Sequence, residues 1–251
     1  MRKILALVLT GAFALGMVSM AQAGEETQSE VFKAKPTKQS KKKPGNISLV
    51  NTITTFNKPG TNQPPKGTRT VVDWPKDWVF NTDKVPYCKT DAAGLQNAPT
   101  TQDAKAACGP KSQVSSDAGS SAQVRVGNPV GSPTEIPVDV LAFNEKGKKL
   151  YLYSKPSGVF SGIAASILVG KLKKTSKVNL NRPSGPYKQS LDVTIPPLSA
   201  GAISFFEVTI PKSVYIQAKC TKKKWQTQAT TVFSDAPTTS DTHVVKCKKK
   251  G

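Results

Sequence analysis

Beyond residue 45 the chain settles into short runs rich in Val, Ile, Thr, Phe and Tyr, separated every ten to twenty residues by clusters of Gly, Pro, Asn and Asp. Short apolar runs with period-two alternation, bounded by turn residues, are the pattern of antiparallel strands. They predict strands over 47–56, 68–74, 122–126, 136–143, 150–153, 163–169, 190–195, 203–210, 214–219, 225–233 and 242–247. The alternation is clearest at Val138, Val140 and Ala142, answered by Leu150 and Leu152. Between them Asn144-Glu145-Lys146-Gly147-Lys148 supplies a glycine-containing hairpin loop. Helical signal is confined to 101–107, with Thr100 or Thr101 as cap and Cys108-Gly109-Pro110 as stop. The 19 prolines and 18 glycines argue against anything longer, because each proline removes a donor and obstructs the preceding turn. The expected fold is therefore all-β, a single antiparallel β-sandwich over 46–251, immunoglobulin-like or related, with at most one short helix. Two stacked β domains divided near 129–133 are the alternative arrangement.

The N-terminal region follows a different pattern. Arg2 and Lys3 precede an almost wholly apolar or small run at 4–20, which ends at Ala21-Gln22-Ala23. A basic start, an apolar stretch and a small-residue boundary are the features of a cleavable signal peptide, so 1–23 is expected to be removed and the mature chain to start at Gly24. The most apolar later stretch, 158–172, is interrupted by glycines and runs into Lys171, Lys173 and Lys174, so no membrane span is expected after cleavage. Secreted or cell-surface localisation follows. Residues 24–45 carry Lys33, Lys35, Lys38 and Lys41 to Lys43 among few apolar side chains and read as a disordered basic tail. Within it, Val31 and Phe32 have the character of an added edge strand.

Charge changes the picture of partners rather than of fold. The chain has 36 Lys and Arg against 16 Asp and Glu, a net charge of +20, or +18 without Arg2 and Lys3. Such an excess attracts polyanions: phosphate-bearing wall polymers, acidic polysaccharides, anionic headgroups or nucleic acid. The competing reading is that scattered lysines keep an exported protein soluble. The clusters at Lys222, Lys223, Lys224 and at Lys246, Lys248, Lys249, Lys250 flank two cysteines and form the candidate polyanion-binding patch, with Trp225 beside them. An indole next to lysines can stack on an acidic sugar, or it can simply fill the core; Trp74 and Trp78, around Pro75 to Asp77, read mainly as core.

Four cysteines, Cys88, Cys108, Cys220 and Cys247, imply two disulfides in an exported chain. Of the three pairings the sequential one, Cys88 with Cys108 and Cys220 with Cys247, is preferred because each pair brackets its own turn-rich segment. Zinc is disfavoured by the lack of a C-x-x-C spacing and by the single histidine, His243. No D-x-D-x-D-G run suggests calcium, and no glycine-rich loop has the context of a phosphate or dinucleotide site, so no cofactor is expected. Catalysis has two weak candidates. His243 lies near Asp241, Ser234 and Ser240 without a nucleophile elbow. Acid pairs such as Glu135 with Asp139, or Asp192 with Glu207, would serve a glycosidase only if both faced one cleft.

The segment from Phe80 to Cys88 and the ending Cys220-Thr221-Lys222-Lys223-Lys224-Trp225, continuing through Val232-Phe233-Ser234-Asp235 to Lys246-Cys247-Lys248, resemble a group of uncharacterised exported proteins from actinobacteria. The resemblance spans about residues 68 to 248 and lies in strand pattern, cysteine placement and a C-x-x-x-x-W motif. It implies the same sequential cysteine pairing and no catalytic signature. The functional expectation is an exported, non-catalytic protein that binds an anionic cell-wall polymer or acidic polysaccharide, with no specific nucleic-acid partner. The alternatives are a carboxylate-dependent hydrolase and a carbohydrate-binding module using Trp225.

Overall fold

The computed structural model describes residues 27–127, 131–198 and 200–250. In chain order the strands are β1 (Gln28–Lys35), β2 (Lys38–Ser40), β3 (Gly45–Asn46), β4 (Ser48–Thr55), β5 (Gly67–Pro75), β6 (Trp78–Phe80), β7 (Ser121–Val126) and β8 (Thr134–Glu145). They continue with β9 (Lys149–Pro156), β10 (Ser166–Lys174), β11 (Tyr187–Thr194), β12 (Ala202–Ile210), β13 (Ile216–Ala218), β14 (Lys224–Phe233), β15 (Thr239–Lys246) and β16 (Lys248–Lys250). Two helices, α1 (Ala92–Gln96) and α2 (Thr101–Cys108), lie between β6 and β7.

Eleven strands make one antiparallel sheet in the order β1-β4-β12-β7-β8-β9-β10-β11-β5-β14-β15. The two ends of that order lie against each other, so the sheet curls into a barrel. Side chains close the seam: Thr27 and Thr239 share a hydroxyl hydrogen bond (2.7 Å) and Gln28 Nε2 donates to the Ala229 carbonyl (3.1 Å). The Glu30 backbone N–H donates to Asp241 (2.6 Å), and the Phe32 and His243 rings meet edge to face. Curling hides the unpaired strand edges that an open sheet of this width would present to solvent.

Alternation assigns the two faces. Leu49 and Ile53 of β4, Val72 and Trp74 of β5, Ala142 of β8, Leu150 and Leu152 of β9, and Leu191 and Val193 of β11 line the interior. Their neighbours along each strand, such as Thr52, Glu135, Asp139 and Glu207, point outward and are half-buried or exposed. Apolar-in and polar-out is the reverse of a barrel that faces lipid. Among the described residues no helix is long and apolar enough to cross a membrane. Part of the outer wall carries its own core, where α1, α2 and the turn between them bury Leu95, Ala98 and Ala104 on Leu141, Phe143, Tyr151 and Tyr153. On another part, Asp73 accepts from Arg182 (2.7 Å) and from Ser190, a buried ion pair roofed by the 175–186 segment, whose carbonyls also accept from Arg182.

One end of the barrel is plugged. The small sheet β3-β13-β6 lies there, and Trp78 stacks on Trp74 with ring centroids 5.7 Å apart. Trp78 also meets Trp225 and Phe32 edge-on, while Phe80 packs against Trp74 and Tyr215. At the opposite end the loops 56–66, 157–165, 195–198 and 234–238 surround an unplugged mouth.

All eleven predicted runs are strands of the structure, with ends moved by a few residues. The β8–β9 hairpin turns at Gly147 and Lys148, both with left-handed backbone (φ 69° and 61°), as its loop composition predicts. All-β therefore holds, but the strands form one continuous curled sheet and not the two facing sheets expected of a sandwich. Alternation specifies which face of a strand is buried and not whether that face meets a second sheet or the far wall of the same one. β7 and β8, the strands on either side of the 129–133 division, pair directly with each other. Helix α2 starts at a Thr100 cap, whose hydroxyl accepts from Asp103 N–H (3.1 Å), and stops at Gly109. Helix α1 exceeds the single helix expected; Asp91 caps it through Gly94 N–H (2.8 Å), and Leu95 anchors it. In the segment read as a tail, Gln28–Lys35 is instead strand β1, the edge strand that Val31 and Phe32 suggested. The order holds because alternate residues Gln28, Glu30, Phe32 and Ala34 are buried in the barrel. The signal peptide expected at 1–23 and its cleavage point lie outside the described residues.

Candidate functional site

Both disulfides join sequential cysteines, Cys88 to Cys108 and Cys220 to Cys247, and all four sulfurs are thereby unavailable to a metal. The second bridge organises the plugged end. It ties the start of β14 to the end of β15, where Lys224 faces Lys246 across the ladder and Cys247 N–H donates to the Lys223 carbonyl (3.0 Å). Beyond it β16 pairs in parallel with β2, Lys248 opposite Lys38 and Lys250 opposite Ser40. Cys220 N–H donates to the Ser40 carbonyl (3.1 Å), and the Ser40 hydroxyl accepts from Lys42 and Lys43 N–H. Three stretches of chain thus meet around one disulfide and bring Lys38 and Lys41 to Lys43 beside Lys222 to Lys224, Lys246 and Lys248 to Lys250.

All of these lysines are exposed, and among the described residues none makes an ion pair. The acid tied into this turn, Asp77, spends both oxygens on Thr221 (2.8 Å). Beside the cluster a groove of about 910 Å³ follows the seam between β1 and β15. Lys33, Lys35, Lys38 and Lys212 line it together with Phe32, Pro36, His243 and Val245, and among the described residues no acid does. A row of cations on an apolar floor can hold a flexible anionic chain by many exchangeable contacts.

The structure brings together every lysine of the predicted patch but removes Trp225 from it. Trp225 is fully buried (0 % exposed), with its N–H donated to the Lys219 carbonyl (2.7 Å), so its ring faces are covered by the aromatic plug and cannot stack on a sugar. Sequence reasoning missed Lys212, an isolated lysine with no cluster to mark it. It also placed Lys33, Lys35 and Lys38 in a tail instead of a groove; the outward alternation of Val31, Lys33 and Lys35 was the available signal.

The catalytic candidates do not assemble. His243 packs on Phe32, Ser240 bonds to Thr230, and Asp241 accepts from the Glu30 and Thr242 backbones. Asp192 and Glu207 stand on strands separated in the sheet by β7, β8, β9 and β10. Against the pull of burial, Arg69 and Lys173 hold Asp192 below the usual carboxylate range. Glu135 is engaged by Arg125, and Asp139, on the same outward face, is exposed to solvent. The acid shifted upward is Glu30 in the barrel, which the sequence did not single out. Burial pushes its carboxyl up to about 8, the hydrogen bond from Asn51 (3.0 Å) offsets part of this, and the Asp241 charge adds to it. Burial thus favours the protonated form of Glu30, whose second oxygen lies within the barrel without a close hydrogen-bond donor.

Comparison with known proteins returns no matching family model, no matching curated protein and no matching solved structure, so the functional reading rests on this geometry.

Proposed function

We propose that this is an exported, non-catalytic protein that holds a linear anionic polymer of the cell surface, a phosphate-bearing wall polymer or an acidic polysaccharide, at its plugged end. The observation that carries the reading is the acid-free seam groove lined by Lys33, Lys35, Lys38 and Lys212, next to the unpaired lysines around Cys220–Cys247. Surface lysines that serve only solubility are interspersed with acids. These are not. Two disulfides fit an oxidising compartment outside the cytoplasm. Binding through many lysine contacts releases counterions, so affinity falls steeply with salt and selectivity among polyanions is low.

The test is salt elution from immobilised anionic wall polymer, with an uncharged polysaccharide as control. The parent is retained at low ionic strength on the anionic matrix alone. A variant with Lys222, Lys223, Lys224, Lys248 and Lys249 changed to Gln elutes at lower salt, as does one with Lys33, Lys35, Lys38 and Lys212 changed to Gln. Elution of both variants with the parent would make the lysines a solvated face. Salt-insensitive retention on the uncharged polysaccharide would favour a carbohydrate-binding module.

A further inference from the structure

A second site lies inside the barrel, independent of the basic face. Eight strands enclose a space that side chains just fill, whereas this barrel has eleven. Its interior side chains leave an apolar cavity of about 100 Å³ as swept by the centre of a water-sized sphere, so the room for atoms is larger. The floor is Trp74 and Phe80, beneath the aromatic plug, and Thr55, Gly67, Ile195 and Phe233 line it at the opposite end. Between floor and mouth β4 contributes Leu49 to Thr55, a run of about 20 Å at strand rise. A small volume spread over that length is a narrow tube, which suits a single extended chain better than a fused ring system.

The chemistry of the wall is equally selective. Among the described residues no charged side chain lines the tube, and Asn51 is its one amide, with Nδ2 already donated to Glu30. The hydroxyls of Thr70 and Thr231 satisfy each other (3.0 Å). Ile53, Leu191, Phe206 and Val208 point inward yet are only half-buried, because the interior is not filled. Apolar voids of this kind stay dry and take up apolar molecules. The mouth supplies a separate observation. Phe56, Val159 (93 % exposed) and Ile163 leave apolar side chains in solvent on loops at that same end, as a rim that meets an apolar ligand or its source would require.

We propose that the barrel interior binds one unbranched alkyl chain, such as a lipid tail or long-chain alcohol, which enters past Val159 and Ile163 and leaves any charged head outside the mouth. The test uses the full exported chain and two probes: cis-parinaric acid, excited by energy transfer from tryptophan at the tube floor, and decanol as an unlabelled competitor. The expected result is saturable binding at one site per chain, displacement by decanol, and a melting temperature of the parent that rises with decanol concentration. Val208→Phe, which fills the tube, should weaken parinaric acid binding at least tenfold, whereas Val159→Ser with Ile163→Ser should slow uptake and leave the equilibrium affinity within about twofold. Because the decanol shift is read on the parent, the test stands even where the filled variant fails to fold. Three outcomes would each overturn the proposal: no saturable binding, no displacement and no thermal shift with decanol, or binding abolished by the rim variant and untouched by V208F, which would put the probe on the outer rim.

Discussion

At the plugged end of the barrel Trp78 stacks on Trp74, Trp225 closes on Trp78, and a disulfide gathers lysines from three stretches of chain; at the open end the strands run out into loops around an apolar mouth. Charge follows the same division. Near the mouth Lys58 pairs with Asp235 and Arg125 with Glu135, whereas the lysines around Cys220–Cys247 have no acid against them among the described residues. Paired charges beside an apolar opening keep a rim soluble without drawing polyanions to it. Unpaired lysines placed over a rigid plug hold their repulsion in a fixed geometry, because the bridge and the aromatic cluster, and not the lysines, supply the cohesion. Stability and charge are thus concentrated at one end, access at the other.

The largest expected effect comes from the wall that supports the plugged end. Arg182→Ala leaves Asp73 buried without its partner and should cost about 3–5 kcal/mol in denaturant unfolding. Arg125→Ala, at the half-exposed pair near the mouth, should cost about 1 kcal/mol or less. Equal losses would remove the contrast between the two ends.

Removing either disulfide by paired Cys→Ser substitution should cost about 3 kcal/mol, since the closed loops span 20 and 27 residues. Only the loss of Cys220–Cys247 should also lower the salt at which the protein leaves an anionic matrix. Loss of Cys88–Cys108, which ties down the helices on the outer wall, should leave retention unchanged.

Midway along the barrel, Glu30 gives a pH dependence. Its folded value of about 8 lies above the ordinary 4.5, so between these values the folded state binds more protons than the unfolded state. The Glu30 contribution to stability is then fully present below the ordinary value, declines as pH rises through the window by roughly 1 kcal/mol per pH unit, and is gone above about 8. Glu30→Gln should flatten this slope in urea titrations at several pH values; an unchanged slope would place the titrating group elsewhere.

The smallest stability effects belong to the surface. Val159→Ser with Ile163→Ser, and the five-lysine substitution to Gln, should each shift unfolding by about 0.5 kcal/mol or less. A larger change would mean that rim or patch is part of the core.

The strand runs were legible because apolar side chains on alternate positions are what a half-buried strand requires, as Val138, Val140 and Ala142 show. β1 was harder to read because two of its four inward positions hold polar side chains, Gln28 and Glu30, which hid the alternation. The strands β2, β3, β6 and β16 have three residues or fewer, too short for a period to register. Barrel closure depends on which distant strands meet, β1 with β15 above all, and no local pattern carries that. The lysine patch was readable from clusters flanking two cysteines, but Trp225 was not, since K-K-K-W suits a surface platform and a buried plug beneath a basic turn equally well. The tube left no mark, because residues that line a void and residues that fill a core are the same residues.

The division between the ends is tested most directly by measuring matrix retention and parinaric acid affinity on the same preparations of three proteins: the parent, the five-lysine variant and Val208→Phe. The account predicts that the lysine variant elutes from anionic polymer at clearly lower salt while binding the probe as the parent does, and that V208F is retained as the parent is while its probe affinity falls at least tenfold. If either substitution altered both properties in a protein whose melting curve is unchanged, the two ends would not be separate sites and the account would fail.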